Sequence, residues 1–378
     1  MSGDYTGEHF EVLQGPRNGT DMRGNPSNAA VVTVIADVPC FCHGTRILTE
    51  RGEVAVQELR IGERVVTASG AMQPIRWIGH RSVDCLRHPG PQAIRPVRIR
   101  ANAVGSGVPY RDLSVSHDHA ISLDGVLIPA KLLVNGMTIV QDSSLRRVEY
   151  FHVELDRHSI LISEGLPTES YLDTGNRALF ENAGLALILH PDFAVAARMQ
   201  SWSEDSCAPL AVAAAEVETV WRRLAARAKE MGFMPPPPVE TTTEPDLRLV
   251  VGGRVIHPIA ARQGRYSFVL PRGSTSAMPC SRAASPAETE PFHEDRRRLG
   301  VAVRRLRLHT ADGLREIAMD APFLSDGWWA SERAPGALWR WTDGAARIPL
   351  SDAPTMLEVE LHGAHRYPME RTAQHQVA

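Results

Sequence analysis

The residues of this chain that could do covalent chemistry are a cysteine, a serine and three histidines in its first half. An unperturbed thiol has a pKa near ~8.5, so only a small part of it is thiolate at pH 7, and a nearby base is needed to make it a nucleophile. Histidine can accept or donate a proton near neutrality. A serine hydroxyl can donate a hydrogen bond to an oxygen on which negative charge develops. The residues concerned are Cys40, Ser116, His119, His152 and His158.

Three short blocks carry these residues in a fixed order along the chain. The first is PCFCHGTRIL at residues 39–48, the second is LSVSHDHAI at residues 113–121, and the third is EYFHVELDRH at residues 149–158. In this order the blocks resemble those of the Hint superfamily, the self-processing domains of inteins and hedgehog proteins, and in particular its bacterial members. The resemblance implies a Hint-type all-β disc, horseshoe-like in shape, whose first cysteine attacks the peptide bond on its own amino side.

The resemblance gives the residues of the first two blocks a role at the bond between Pro39 and Cys40, which becomes the scissile bond. Cys40 attacks the carbonyl carbon of Pro39 to form a thioester. His119 protonates the leaving nitrogen, because an amide anion is a very poor leaving group. Ser116 donates a hydrogen bond to the Pro39 carbonyl oxygen as negative charge develops there.

The third block leaves the base that activates the thiol open between His152 and His158. No His-Asn pair follows this block, whereas splicing inteins use such a pair to release their downstream segment by asparagine cyclisation. Asn176 comes later, and no histidine directly precedes it. We therefore expect cysteine-dependent autoproteolysis without splicing. The chain's own N-terminal segment is the substrate, and water, a small thiol or an amine is the acceptor.

Two other interpretations stay open. One is a Hint-like scaffold that no longer reacts and whose C-terminal part binds a glycan or a protein. The other is a metal site built on Cys40, Cys42 and His43, which lacks the paired Cys-x-x-Cys spacing of common zinc sites. We expect neither a metal ion nor another cofactor.

Composition divides the chain into five segments. Residues 1–30 are rich in Gly, Asn and Asp and are expected to be flexible. Residues 31–178 contain the three blocks among short apolar runs and turns, which predicts the Hint domain. Residues 179–234 have apolar residues at three- and four-residue spacing, which predicts a helical connector. Residues 235–245 form a Pro/Thr linker, and the alternating apolar runs of residues 246–370 predict a β-sandwich-like domain.

Four tryptophans lie close together in this last domain. Each indole has flat apolar faces and a polar edge, so the rings could form a platform on which sugar rings stack. They could equally belong to the core of the domain. The residues are Trp328, Trp329, Trp339 and Trp341.

Charge, cysteine content and hydropathy narrow the class of protein. The net charge of −3 argues against a nucleic-acid binder. The five cysteines are scattered and odd in number, so no disulfide framework is implied. No basic start precedes an apolar stretch, so we expect neither a signal peptide nor a membrane span. The expected location is the cytoplasm, or the outside of the cell after export by a leaderless route.

Overall fold

The structure is a computed structural model, which describes residues 38–88, 91–183, 200–351 and 354–369 together with the backbone of four short strands nearer the N-terminus. These strands pair as β1 with β4 and β2 with β3. Apart from them, the segment expected to be flexible over residues 1–30 lies outside the described residues. The four strands are β1 (Glu11–Gln14), β2 (Gly19–Thr20), β3 (Pro26–Ser27) and β4 (Val32–Ile35).

The chain divides into two compact units, residues 1–236 and residues 237–378. The division falls within the four consecutive prolines at residues 235–238. Successive prolines favour an extended polyproline conformation, which carries the chain out of one unit and into the next.

Two larger antiparallel sheets follow β1–β4 in the first unit. Their strands are β5 (Phe41–Cys42), β6 (Arg46–Thr49), β7 (Gly52–Ala55), β8 (Arg64–Val66), β9 (Met72–Pro74), β10 (Trp77–Asp84), β11 (Val97–Ile99), β12 (Leu113–Val115), β13 (Ala120–Leu123), β14 (Val126–Pro129), β15 (Ile139–Gln141), β16 (Arg147–Glu154), β17 (Ile160–Ser163) and β18 (Leu166–Glu169). The six-stranded sheet has the order β10-β16-β5-β12-β11-β15. The eight-stranded sheet has the order β14-β13-β18-β17-β6-β8-β9, with β7 paired to β6.

Turn chemistry and alternation explain why these strands form. Val148, Tyr150 and His152 of β16 are buried on one face, at the period of two that a strand requires. The hairpin between β13 and β14 turns at Asp124 and Gly125, and both have positive φ (52° and 83°), as a tight two-residue turn needs. The mainly β fold predicted for this region is confirmed.

The helical segment packs against these sheets within the first unit. Its long helix buries Val217, Val220, Leu224 and Ala228, the stripe that the sequence predicted. The Trp221 indole N–H donates to a carbonyl oxygen next to the short helix at residues 130–133, at 2.8 Å. The helices that the structure describes in this unit are α1 (Pro91–Ile94), α2 (Ala130–Leu133), α3 (Trp202–Asp205) and α4 (Ala214–Glu230), with 3₁₀ turns at Val56–Glu58 and Arg177–Leu179.

The second unit is built around two sheets that share one apolar core, as the sequence predicted for a β-sandwich-like domain. Its elements are β19 (Thr241–Thr242), β20 (Arg248–Val251), β21 (Arg254–Ile256), β22 (Ala260–Arg262), β23 (Arg265–Val269), β24 (Ser276–Cys280), α5 (Pro286–Thr289), β25 (Val301–Thr310), β26 (Gly313–Ile317), β27 (Trp328–Ala334), β28 (Ala337–Thr342), β29 (Ile348–Pro349), β30 (Met356–Ala364) and β31 (Tyr367–Pro368). The core joins Leu249 and Ile348 of the sheet β21-β20-β24-β29 to Phe268, Val303 and Leu357 of the sheet β22-β23-β30-β25-β28-β27.

None of the helices that the structure describes in either unit is long and apolar enough to cross a membrane.

Candidate active site around Cys40

Cys40 immediately precedes the strand in the middle of the six-stranded sheet. The residue is fully buried, and so is Val38 on the other side of Pro39. Phe41, the next residue, pairs with β12 on one side and with β16 on the other. Because both neighbouring strands fix β5, the peptide bond between Pro39 and Cys40 is held in one place.

Ser116 forms hydrogen bonds with the backbone on both sides of that bond. Its hydroxyl accepts a hydrogen bond from the Cys40 N–H at 2.8 Å and donates one to the Val38 carbonyl oxygen at 2.8 Å. Its own N–H donates to the Cys40 carbonyl oxygen at 2.8 Å. The hydroxyl was expected to donate to the Pro39 carbonyl oxygen. In the structure it instead holds the nitrogen that would leave and the carbonyl one residue upstream.

His119 lies in the turn between β12 and β13, with its ring against Phe41 at 4.2 Å between ring centroids. The ring is fully buried, and neither ring nitrogen has a hydrogen-bond partner among the described residues. Burial, helped by the charge of His158, lowers the pKa of His119 to about 3. The ring is therefore neutral at pH 7, with one nitrogen that can accept a proton and one that carries one.

His152 is a second neutral histidine beside the first. Its ring lies 5.2 Å from that of His119 and 6.0 Å from that of Phe41, between centroids. Burial, with smaller contributions from the neighbouring His119 and His158, lowers the pKa of His152 well below its ordinary value. Its Nδ1 accepts the Val153 N–H at 3.1 Å, which leaves the proton of the neutral ring on Nε2.

These buried histidines make the stability of the domain depend on pH. Because the pKa of His119 is lowered in the folded chain, the unfolded chain binds more protons below pH ~6.5, and the free energy of unfolding falls as the pH falls from ~6.5 towards ~3. One such group contributes about 1.4 kcal/mol per pH unit in this range. We expect urea denaturation to show a wild-type loss between pH 7 and pH 5 that is about 2 kcal/mol larger than the loss in His119→Gln. Equal losses in the two proteins would contradict a neutral, buried His119.

His158, the other candidate base, contacts Cys207, Glu169 and Trp202. Its Nδ1 accepts the Cys207 backbone N–H at 3.1 Å, and its Nε2 lies 3.7 Å from Oε2 of Glu169. The edge of its ring meets Trp202 at 5.6 Å between centroids. Burial lowers the pKa of His158, but Cys207 and Glu169 raise it more, to about 9.

Glu169 is a site residue that the sequence did not predict. Its carboxyl is buried, which raises its pKa, and Oε1 accepts the Ala120 N–H at 2.5 Å. Through this bond Glu169 fixes the residue that directly follows His119, while its other oxygen faces His158. The signal that could have found it is an acidic side chain at the end of an otherwise uncharged strand, since carboxylates are almost never buried without a partner.

Cys42 is close to Cys40 in sequence but is poorly suited to attack. It is buried, and burial together with Asp142 and Cys85 raises the pKa of its thiol far above the ordinary value. A thiol in this environment stays protonated and unreactive. Among the described residues, no group of three or more His, Cys, Asp and Glu side chains is arranged to hold a metal ion.

An ion pair between an exposed arginine and a buried carboxylate holds the loop that follows β5. The Glu164 carboxylate is almost fully buried and binds the Arg111 guanidinium with both oxygens, at 2.6 and 2.7 Å. Arg111 also donates to the Gly44 carbonyl oxygen at 2.9 Å, and Glu164 accepts the Arg46 N–H at 2.7 Å. The pair thus ties the turn between β17 and β18 to the chain just after the first block.

We expect Arg111→Ala to lower the free energy of unfolding by about 2 to 3 kcal/mol. The expected loss lies between the ~0–1 kcal/mol of an exposed ion pair and the ~3–5 kcal/mol of a fully buried one, because Glu164 is buried while Arg111 is 44% exposed. Urea denaturation at pH 7 measures the change. The matched control is Arg222→Ala, which removes the exposed pair with Glu218 on α4 and is expected to change the value by less than about 1 kcal/mol. Equal losses of unfolding free energy in Arg111→Ala and Arg222→Ala would contradict a larger contribution from the pair with the buried carboxylate.

The four tryptophans of the second unit do not share one environment. Trp328 is 7% exposed, belongs to the core of the sandwich and donates its indole N–H to the Arg347 carbonyl oxygen at 2.9 Å. The other three are half-buried. Leu338 packs against the core, so the alternation of β28 turns Trp339 and Trp341 to the opposite face of the sheet.

The polar edges of two of these rings are engaged within the chain. Trp339 donates its indole N–H to Oε2 of Glu332 at 3.0 Å and stacks on His362 at 4.2 Å between centroids. Trp329 donates to the Arg298 carbonyl oxygen at 2.9 Å. A sugar-stacking platform in this unit stays a prediction.

Comparison with known families identifies the first unit. Residues 39–175 match the Hint domain family, the same span that carries the three blocks, Ser116 and the three histidines. Residues 39–175 are therefore a Hint domain, as the sequence predicted. Hint domains are self-processing domains that act on their own chain.

Solved structures and curated proteins were also compared with the chain. The gp41-1 intein is 12% identical, covers 35% of this chain and 98% of its own, and has a TM-score of 0.27. The MchDnaB-1 intein is 12% identical, with coverages of 35% and 99% and a TM-score of 0.25. A bacterial intein-like domain from Clostridium thermocellum is 14% identical, with coverages of 35% and 98% and a TM-score of 0.26. No curated protein matches the chain.

Proposed function

We propose that this Hint domain cleaves its own chain between Pro39 and Cys40 through a thioester and does not splice. The observation that carries the proposal is the pair of hydrogen bonds that the Ser116 hydroxyl makes with the backbone on both sides of this bond, next to a buried thiol. The hydroxyl of this serine holds the backbone nitrogen that must leave, at 2.8 Å. Positioning of this kind is what turns a stable amide into a reactive one.

The first step is the attack of the thiol. Cys40 loses its proton, and Sγ bonds to the carbonyl carbon of Pro39, whose oxygen takes up negative charge. The bond from this carbon to the Cys40 nitrogen then breaks, and the nitrogen takes a proton and becomes an amine. The products are a thioester that joins residues 1–39 to Sγ and a free amino group on the same cysteine.

His119 is suited to move the proton in this step. A ring whose pKa is about 3 holds no extra proton at pH 7, so it cannot act as an acid from the resting state. It can act as a relay, which takes the thiol proton and passes it to the leaving nitrogen. His152, also neutral and close to Phe41, is the second candidate for the first half of this transfer.

His158 is less suited to serve Cys40, because Cys207 and Glu169 occupy the two sides of its ring. Its contribution is through its charge. By holding its own proton, it disfavours a second positive charge on His119 and on His152. Burial keeps both rings in the neutral form that a proton relay needs, and the charge of His158 adds to this effect.

Splicing is not expected from this chain. Asparagine cyclisation needs a side-chain amide aimed at its own carbonyl, and Asn176 instead accepts a hydrogen bond from the Tyr171 hydroxyl at 2.6 Å through its Oδ1. The residue directly before Asn176 is Gly175 and not a histidine. The thioester is then open to water, a small thiol or an amine.

We expect incubation with dithiothreitol near neutral pH to release residues 1–39 and to leave residues 40–378 of this chain in one piece. The thiol exchanges with the thioester, whereas nothing at the far end of the Hint domain performs a second cleavage. Gel electrophoresis followed by mass measurement of both products is the test. A product that joins residues 1–39 to a downstream segment, or a fragment that ends near Asn176, would contradict the proposal.

A further inference from the structure

The chain that follows β18 returns to the Cys40 site and runs along one edge of the six-stranded sheet. The outermost strand at this edge is β10. Residues 171–182, which we call the strap, begin inside the span that matches the Hint family and end beyond it. Tyr171 and Phe180 of the strap are 2% and 3% exposed, and both belong to the apolar cluster that contains Cys40. The strap thus takes part in burying the nucleophile.

The strand register brings Cys40, His152 and Gly79 into one row across three strands. Phe41 of β5 pairs with Phe151 of β16, so the next step of this register sets Cys40 beside His152. On the other side of β16, His152 pairs with Gly79 of β10. Residues opposite one another in a sheet point to the same face, with Cβ atoms about 5 Å apart. The space above Gly79 is therefore the outer end of the row that holds the nucleophile.

The Phe180 ring fills the space above Gly79. A Cβ atom at Gly79 would lie 2.6 Å from the Phe180 ring and 2.5 Å from the Trp77 ring, closer than Cβ atoms come to other atoms in proteins. Phe180 meets Trp77 edge to face at 4.9 Å between centroids, and it lies 5.7 Å from Tyr171. Tyr171 in turn lies 5.2 Å from the His152 ring. The absence of a side chain at Gly79 is what lets these rings close the row next to His152.

The strap holds the outer edge of β10 in the way that a further strand would. The His80 carbonyl oxygen accepts the Glu181 N–H at 2.9 Å, and the His80 N–H donates to Oδ1 of Asn182 at 2.9 Å. Oε1 of Glu181 accepts the Ser82 N–H at 2.8 Å. Nδ2 of Asn182 donates to the Ile78 carbonyl oxygen at 2.7 Å. Because the three side-chain bonds are exposed and water can replace them, the strap can leave this edge at a smaller cost in free energy than the strands can separate.

We propose that the strap closes the Cys40 site at this edge and that Phe180 determines which molecules reach the thiol and its thioester. The inference rests on the proposed cleavage for the chemistry of the acceptor, whereas the closure itself does not depend on cleavage. In the transfer to a thiol, the acceptor sulfur bonds to the Pro39 carbonyl carbon. The bond from this carbon to Sγ of Cys40 breaks, and the proton of the acceptor thiol passes to Sγ.

The test measures how fast iodoacetamide alkylates Cys40 in the full folded chain at pH 8, by peptide mass mapping. Phe180→Ala removes the ring, whereas Gly79→Ala drives the ring out without opening a cavity. The φ angle of Gly79 lies outside the left-handed region, so alanine there adds no backbone strain of its own. We expect both variants to raise the alkylation rate at Cys40 about tenfold or more.

Leu179→Ala and Leu224→Ala are the matched controls. Leu179 is the strap residue next to Phe180 and is 40% exposed, while Leu224 is buried on α4 of the same unit. We expect both to leave the Cys40 rate within about twofold of wild type, because neither side chain covers the row. An unchanged rate in Phe180→Ala and Gly79→Ala would overturn the inference. An equal rise in Leu224→Ala would also overturn it, since lost stability alone would then explain the opening.

Asn182→Ala decides the question if neither Phe180→Ala nor Gly79→Ala folds. The Asn182 side chain is exposed and makes two hydrogen bonds to the edge of β10, so its loss loosens the strap and leaves the core intact. We expect the Cys40 alkylation rate to rise about fivefold in this variant. A rate equal to that of Leu179→Ala would overturn the inference.

The choice of acceptor is tested with two thiols of different size, 2-mercaptoethanol and glutathione, at concentrations where the cleavage rate is proportional to thiol. We expect Phe180→Ala to raise the rate with glutathione, relative to that with 2-mercaptoethanol, by about fivefold or more. An unchanged ratio would overturn the role of Phe180 in choosing the acceptor. If no protein cleaves while Cys40 alkylates faster in the variants, the proposed cleavage fails and the closure by the strap stands, so the two failures are distinguished.

Discussion

Substitution of Cys40 by alanine is expected to abolish thiol-induced cleavage of the chain completely. The reason is structural: Cys40 supplies the sulfur at the scissile bond, and the neighbouring Cys42 is buried with a thiol pKa raised far above its ordinary value. Without the thiol no thioester forms, and the amide between Pro39 and residue 40 is stable in water. The amount of chain cleaved after incubation with dithiothreitol, read by electrophoresis, measures the effect.

The control for this experiment is Cys42→Ser, which removes the nearest other thiol and should leave cleavage within about threefold of wild type. Cleavage that persists unchanged in Cys40→Ala would exclude the thioester mechanism. Should neither wild type nor any variant cleave, the interpretation as a silent Hint scaffold with a binding unit at its C-terminal end would gain.

Replacement of His119 by alanine is expected to slow thioester formation by about 10²- to 10⁴-fold, the usual contribution of a positioned proton-transfer group. His119 carries ring nitrogens without hydrogen-bond partners among the described residues and packs against Phe41, the residue next to the nucleophile. Its removal takes away the relay between the thiol and the leaving nitrogen. The rate of trapping by hydroxylamine, measured over a series of times, gives the factor.

Cys42→Ser again provides the comparison, because Cys42 is close to the bond in sequence but its buried thiol has a raised pKa and stays protonated. A loss of rate in Cys42→Ser equal to that in His119→Ala would defeat the assignment and would point to a site that uses Cys42.

The fold could be predicted from the sequence where local patterns determine it. The alternation of β16, the Asp-Gly turn after β13 and the apolar stripe of α4 are all readable over fewer than twenty residues. The order of the three blocks then identified the Hint domain, which the family comparison confirms.

The contacts of the candidate site could not be predicted in the same way, because they join residues far apart in sequence. The Ser116 hydroxyl reaches Val38 across 78 positions, and the preference for that carbonyl over the one of Pro39 depends on how β5 and β12 meet. The pairing of His158 with Glu169 and Cys207 depends on the path of the chain after the Hint domain. No periodicity in the sequence encodes it.

The tryptophans illustrate a third limit. Trp328 and Trp329 are adjacent, yet one lies in the core and the other is half-buried. Successive side chains of a strand point to opposite faces of the sheet, so two adjacent tryptophans differ in burial. The register of β27 shifts between Trp328 and Ser331, however, and the sequence alone therefore does not say which ring faces inward.

The most direct test of the central claim is the chemical form of the fragment released from wild-type protein by hydroxylamine. Hydroxylamine attacks a thioester far faster than an amide, so the account predicts a fragment of residues 1–39 whose C-terminal Pro39 carries a hydroxamic acid, seen as a defined mass. The companion product should begin with Cys40 and contain the rest of the chain. An intact mass that does not change after long incubation, or a fragment with an ordinary carboxyl end in wild type and Cys40→Ala alike, would contradict a thioester at this cysteine.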